Sequence, residues 1–259
     1  AEEHRPGVAR TVVRVQGLLR HLLGDEPPPW DPSPVLFLDP DSYGALLAAL
    51  HPDEKERALF GAYGNYEHTD FYAIRVWKPV DAADRYAHAA GHMAMYERAA
   101  PDLGAERRDA RAYAWLLEGF GYFMSLELFG TAHVNFVSLK ESAAKRPTTR
   151  PPPSPRTRTA CLAWTAEQLL AGHGHSLREL CALSLNNLDF LASMEAYSFV
   201  RFLFLLDPAA ARRLPEALRA RASGPQADRA DAALEETFGK GLAELEPLWR
   251  AFALEITPS

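Results

Sequence analysis

His88 and His92 stand four residues apart in RYAHAAGHMAMYERA, and Glu118 interrupts the apolar run WLLEGFGYFM further along the chain. On a helix, residues at i and i+4 project from one face a turn apart, so the two imidazoles can reach a common point. An ionised carboxylate inside an apolar run is costly unless it is paired or bound to metal. Zinc takes imidazole nitrogen and carboxylate oxygen, and at a catalytic centre it keeps three protein ligands and one open position for water. Two readings follow. Either His88, His92 and Glu118 bind one zinc ion, or Glu118 pairs with an arginine such as Arg85 or Arg111 and the histidines are satisfied core residues. With nine histidines in the chain, H-x-x-x-H arises readily by chance, so the weight falls on the combination with Glu118.

The elements that must position these residues can be read from periodicity and punctuation. Residues 8 to 23 place apolar side chains at helical spacing, the prolines of GDEPPPWDPSP break the pattern, and VLFLD begins a strand at Val35. Asp41 to Leu50 predict a helix and Phe71 to Trp77, FYAIRVW, a strand. The histidine pair falls on a predicted helix from Asp81 through Glu97, with Asp84 in a capping-box-like place. Glu118 falls on a second helix from Glu106 to Phe129, ending at Gly130. The prolines and cations of ESAAKRPTTRPPPSPRTR mark an extended loop between Lys140 and Arg158. Beyond it the spacing predicts helices at Ala160 to Leu170, from Ser176, at Leu191 to Leu206, at Pro208 to Ala222, and at Ala230 to Phe252 with an interruption at GKG. No internal repeat is visible.

Composition bounds the function. The chain has 259 residues, 47% hydrophobic and 24% charged, which is enough for one large domain. A net charge of -6 argues against nucleic acid or an anionic membrane surface as the partner and suits a peptide, protein or small molecule. No apolar run reaches the roughly 18 to 20 residues of a membrane span. Cys161 and Cys181 leave two possibilities open, one bridge or two buried thiols.

The segments HAAGH and WLLEGFGYF resemble the gluzincin metallopeptidases, which join an H-E-x-x-H helix to a later helix with a W-x-x-E-G segment carrying the third zinc ligand. More narrowly, VLFLDPDSY, GAYGNYEHTDFYAIRVW, AYSFVRFLF and ALEETFGKGLAELEPLWRAF are similar to segments of bacterial peptidase-like domains in that clan. The resemblance implies that zinc is held by His88, His92 and Glu118. It also implies that the strand ending at Trp77 forms a cleft edge for an extended peptide, and it favours a secreted or periplasmic location, as does the absence of an initiator Met. Tyr197 becomes a candidate hydrogen-bond donor to an oxyanion near the metal, or else a tyrosine packed on an apolar helix face. The general base of the family follows the first histidine, and here that position is Ala89, which can neither accept nor deliver a proton.

Tyr122 and Asp84, each one turn from a proposed ligand, can support a ligand by hydrogen bonding, or pack and cap respectively. His173 and His175 in AGHGHSL sit in a glycine-flanked loop and are assigned no role. The aromatic cluster FGAYGNYEHTDFY lines a cleft or packs as a hairpin, and the basic loop at 145 to 158 is read as a solvated connector.

The expected fold is α+β. A zincin-like mixed amino-terminal lobe (1–139) carries a small sheet and the H-x-x-x-H helix, the proline-rich loop (140–158) follows, and an all-helical carboxy-terminal lobe (159–259) completes one domain with zinc between the lobes. The expected function is peptide-bond hydrolysis by zinc-activated water, disabled by Ala89. Either an active HEAGH enzyme was altered to Ala, or the protein is a natural pseudopeptidase that binds a peptide or protein.

Overall fold

The computed structural model describes residues 5–24, 35–37, 39–55, 57–58, 65–67, 72–75, 82–99, 113–133, 156–221 and 223–255. Among them the helices are α1 (Arg5–Leu23), α2 (Pro40–Leu50), α3 (Ala82–Ala99), α4 (Ala114–Phe129), α5 (Arg158–Leu170), α6 (Leu177–Ala182), α7 (Phe190–Leu206), α8 (Pro208–Arg219), α9 (Gln226–Phe238) and α10 (Leu242–Glu255). Three strands, β1 (Val35–Phe37), β2 (Asn65–Glu67) and β3 (Tyr72–Arg75), pair in the order β1-β3-β2, with β1 parallel and β2 antiparallel to β3.

The expectation of an α+β fold is corrected by this architecture, which is mostly helical. Among the described residues the β-rich runs that suggested a sheet-bearing lobe carry strands of three, three and four residues. The reason lies in where apolar surface is buried. Phe37 packs edge-on against Tyr43, at 5.6 Å between ring centroids, in a satellite cluster with Leu47 that stands apart from the main core. Val35 is 42% exposed. A patch this small cannot bury a layer of its own, and the core is built by helices instead. Phe71, Trp77 and residues 140–155 of the proline-rich loop lie outside the described residues.

The centre of that core is α4. Its residues from Ala114 to Leu126 are all buried, as its unbroken apolar sequence requires, since a helix apolar all round must be covered on every side. α3 and α7 both pack against it. Trp115 meets Phe199 at 5.4 Å, and Phe204 meets Phe120 and Phe123 at 5.5 and 5.4 Å. Such aromatic pairs contribute about 0.5–1.5 kcal/mol each beyond area burial. Gly119 makes the α4–α7 approach possible, because a Cβ there would stand 2.6 Å from the Ala196 carbonyl oxygen.

The carboxy-terminal helices begin where their caps place them. Thr157, Asp189 and Asp207 accept backbone N–H groups of the first turns of α5, α7 and α8, and Ser176 with Glu179 closes a capping box on α6. The segment read as one interrupted helix is two, α9 and α10, separated around Gly239. Among the described residues no helix is long and apolar enough to cross a membrane.

Candidate metal centre

α3 presents His88 and His92 to α4, and α4 presents Glu118 between them. His88 Nε2 stands 3.4 Å from Glu118 Oε2, and His92 Nε2 stands 3.4 Å from Glu118 Oε1. All three side chains are buried, at 4%, 3% and 9% exposure. Burial pushes the Glu118 carboxyl up, but hydrogen bonding and the charges of His88 and His92 outweigh it and hold the group well below the ordinary carboxylate range. Glu118 therefore faces the two histidines, not Arg85 of α3. Arg111, the other arginine weighed as its partner, lies outside the described residues.

The helix-to-helix fit that makes this possible is set by Gly121. The His88 ring lies directly over it, so that a Cβ at 121 would come within 2.8 Å of His88 Cε1 and 2.9 Å of Nδ1. Tyr122 closes the same ring from the side, edge-on at 4.8 Å between centroids.

The donor set suits zinc in kind, with two imidazole nitrogens and a carboxylate. The spacing also suits it. Charge-assisted N–H···O bonds run at about 2.7–2.9 Å, whereas two ligands bound to one tetrahedral ion at about 2.0–2.2 Å stand roughly 3.3–3.4 Å apart. The closure is incomplete. The His88 and His92 ring centroids are 6.4 Å apart, and two imidazoles on one such ion would bring them to roughly 5 Å. Among the described residues no group of three His, Cys, Asp or Glu side chains is arranged to hold a metal ion.

Ala89 is 2% exposed and offers only a methyl group where the family resemblance places a proton-transferring carboxylate. Tyr197, the expected oxyanion donor, is fully buried, and its hydroxyl donates to Glu127 Oε1 at 2.9 Å. Glu127 also accepts from Arg201 Nε at 3.0 Å and Arg158 Nη1 at 3.2 Å. Glu127 is nine residues beyond Glu118 on α4, about 13 Å along the axis, so this hydroxyl is committed away from the triad.

Asp84 reaches beyond its own helix. Its Oδ2 accepts from Thr131 Oγ1 at 3.0 Å and from the His133 backbone N–H at 3.0 Å, and lies 2.6 Å from His133 Nδ1. His175 is held as well: Nδ1 lies 2.7 Å from Glu195 Oε2, and its backbone N–H donates to Glu195 Oε1 at 3.0 Å. Glu195, fully buried on α7, anchors this glycine-flanked loop. Sequence reasoning passed over Glu195 and Glu127, although each is a lone acid in an apolar helical run, the same signal that singled out Glu118. His173 Nδ1 meets Gln168 Oε1 at 3.2 Å. Cys161 and Cys181 are free, buried thiols.

No known family description matches the chain, and no curated protein matches it. The resemblance to gluzincins therefore rests on the sequence segments HAAGH and WLLEGFGYF alone.

Proposed function

We propose that this protein is a gluzincin-type, zinc-binding peptidase-like domain in which peptide-bond hydrolysis is disabled at Ala89. The observation that carries the proposal is the pair of 3.4 Å separations from His88 and His92 to the two oxygens of one buried carboxylate. Separations of this length are also what two ligands of one tetrahedral ion would show. His88, His92 and Glu118 would hold the zinc. When bound, zinc supplies Lewis acidity towards a carbonyl or a water. The chain's own residues orient and bury the site: Gly121 lets the His88 imidazole lie against α4, and Tyr122 packs its edge. General acid-base assistance is worth about 10²- to 10⁴-fold in rate, and no carboxylate stands at position 89 to give it.

The near-complete burial of Ala89 favours a second reading, a natural pseudopeptidase that holds a peptide or protein without cleaving it, because a glutamate there would have to displace its neighbours. Ala89→Glu assayed on a mixed peptide library separates the two. New zinc-dependent cleavage identifies a disabled enzyme. Peptide binding without cleavage, in a folded and metal-loaded variant, identifies the binding module. Neither cleavage nor binding contradicts both.

A further inference from the structure

We propose that His175 is a nucleophilic imidazole, oriented by Glu195, whose Nε2 takes acyl groups from uncharged activated esters without a metal. The inference goes beyond the proposed function and does not rest on the metal centre.

The two side chains differ sharply in burial. That of Glu195 is fully buried on α7, whereas that of His175 is 28% exposed. Both carboxylate oxygens are engaged by this one residue: Oε1 accepts the His175 backbone N–H at 3.0 Å, and Oε2 meets Nδ1 at 2.7 Å. An ionised carboxylate only accepts, so Nδ1 carries the ring proton and the lone pair of the neutral imidazole falls to Nε2. Among the described residues no group bonds Nε2, which is left at the exposed end of the ring.

The surrounding backbone holds the ring in place. Gly174 lets the loop lie against Glu195, because a Cβ there would stand 2.7 Å from Oε1 and 2.4 Å from Leu169 Cδ2. Arg250 Nη2 donates to the His175 carbonyl at 3.1 Å, and the next residue, Ser176, closes the capping box of α6 with Glu179. A buried carboxylate that fixes the tautomer and direction of a histidine is what a nucleophilic or general-base imidazole requires.

Nearby charges select the substrate. Arg250 is matched by Glu246, whose Oε1 accepts from its Nε at 2.9 Å, while Glu179 acts on His175 and Asp189 on Glu195. Carboxylates thus prevail, which repels an anionic phosphoryl donor and leaves an uncharged ester carbonyl free to approach. Nε2 bonds to the carbonyl carbon, and the phenoxide or alkoxide leaves with the bonding pair while Glu195 faces the Nδ1 proton of the acyl-imidazolium. Water then adds to the acyl carbon, its hydroxyl departs in the carboxylic acid, and its proton neutralises the departed oxyanion, which restores His175.

The test is hydrolysis of p-nitrophenyl acetate by the full chain in excess EDTA, so that bound metal takes no part. His175→Ala should slow release of p-nitrophenolate by about tenfold or more. His173→Ala, which removes an exposed imidazole that meets Gln168, should leave the rate as in wild type. In Glu195→Gln the side-chain amide can donate to Nδ1, which moves the ring proton to Nε2 and removes its lone pair. That variant should lose rate to a similar extent, and its His175 nitrogen-15 resonances should switch from the Nδ1–H to the Nε2–H tautomer, which a carboxylate serving only the fold would not couple to the rate. An unchanged rate in His175→Ala overturns the inference, and an unchanged rate in Glu195→Gln overturns the role of Glu195. Should His175→Ala not fold, acid-quenched wild type is mapped by mass spectrometry: acetyl on His175 supports the assignment, and acetyl on other residues alone overturns it. Activity abolished by EDTA overturns this inference and leaves the proposed function standing.

Discussion

The imidazole of His88 rests on the bare backbone of Gly121, with only 2.8 Å between its Cε1 and the place a Cβ would occupy. A glycine on one helix thus sets the position of a histidine on the other. Gly121→Ala should push His88 out of line with Glu118, lowering zinc affinity by about 10- to 100-fold and stability by about 1–3 kcal/mol through overpacking. Competition against a fluorescent zinc chelator, with urea unfolding alongside, measures both. Unchanged zinc affinity would show that this close approach does not position the ligand.

Tyr197 is predicted to matter for stability and not for the metal. Its hydroxyl and two arginines converge on Glu127, so Tyr197→Phe removes one hydrogen bond to a charged acceptor. It should cost about 1–2 kcal/mol while zinc stoichiometry stays as in wild type. Loss of metal in this variant would return Tyr197 to the site.

The pair of Glu195 and His175 gives a pH prediction. Burial pushes the Glu195 carboxyl above its ordinary 4.5, and the hydrogen bonds and charge of His175 only partly oppose it. The folded state therefore holds this proton more tightly than the unfolded chain. Its contribution is fully present below the unfolded value and is lost as pH rises from 4.5 through the raised folded value. Glu195→Gln cannot titrate there, so wild type should lose stability relative to this variant over that window. Parallel pH profiles of the two unfolding curves would contradict the assignment.

Cys161 and Cys181 are both buried and unbridged, and burial pushes the Cys161 thiol up to about 12 and raises the Cys181 thiol as well. Ellman's reagent should find no reactive thiol in the native protein at neutral pH and two after denaturation. Rapid labelling of the native protein would show that one of these residues opens readily to solvent.

What the sequence disclosed follows from the range of the interactions involved. His88 and His92 are related by one helical turn, and Glu118 announces itself as a charge in an apolar run, so all three were readable locally. The carboxy-terminal helices were legible through the spacing of their apolar residues, and Thr157, Ser176, Asp189 and Asp207 cap four of them. The sheet was over-read, because VLFLD and FYAIRVW have strand composition while strand length depends on distant pairing partners. Asp84 shows the same limit. Its partners Thr131 and His133 lie 47 and 49 residues away, and no local pattern links them. Of the two readings given to Tyr197, its burial fits the tyrosine packed on an apolar face, and helical spacing does not say which acid its hydroxyl meets.

Metal content of the full-length chain, purified without chelator and measured by inductively coupled plasma mass spectrometry beside His88→Ala and Glu118→Ala, tests the central claim most directly. One zinc ion per chain, absent from both variants while each remains folded by circular dichroism, is the predicted result. No zinc in wild type after reconstitution, or zinc undiminished in the variants, would contradict a metal centre at His88, His92 and Glu118.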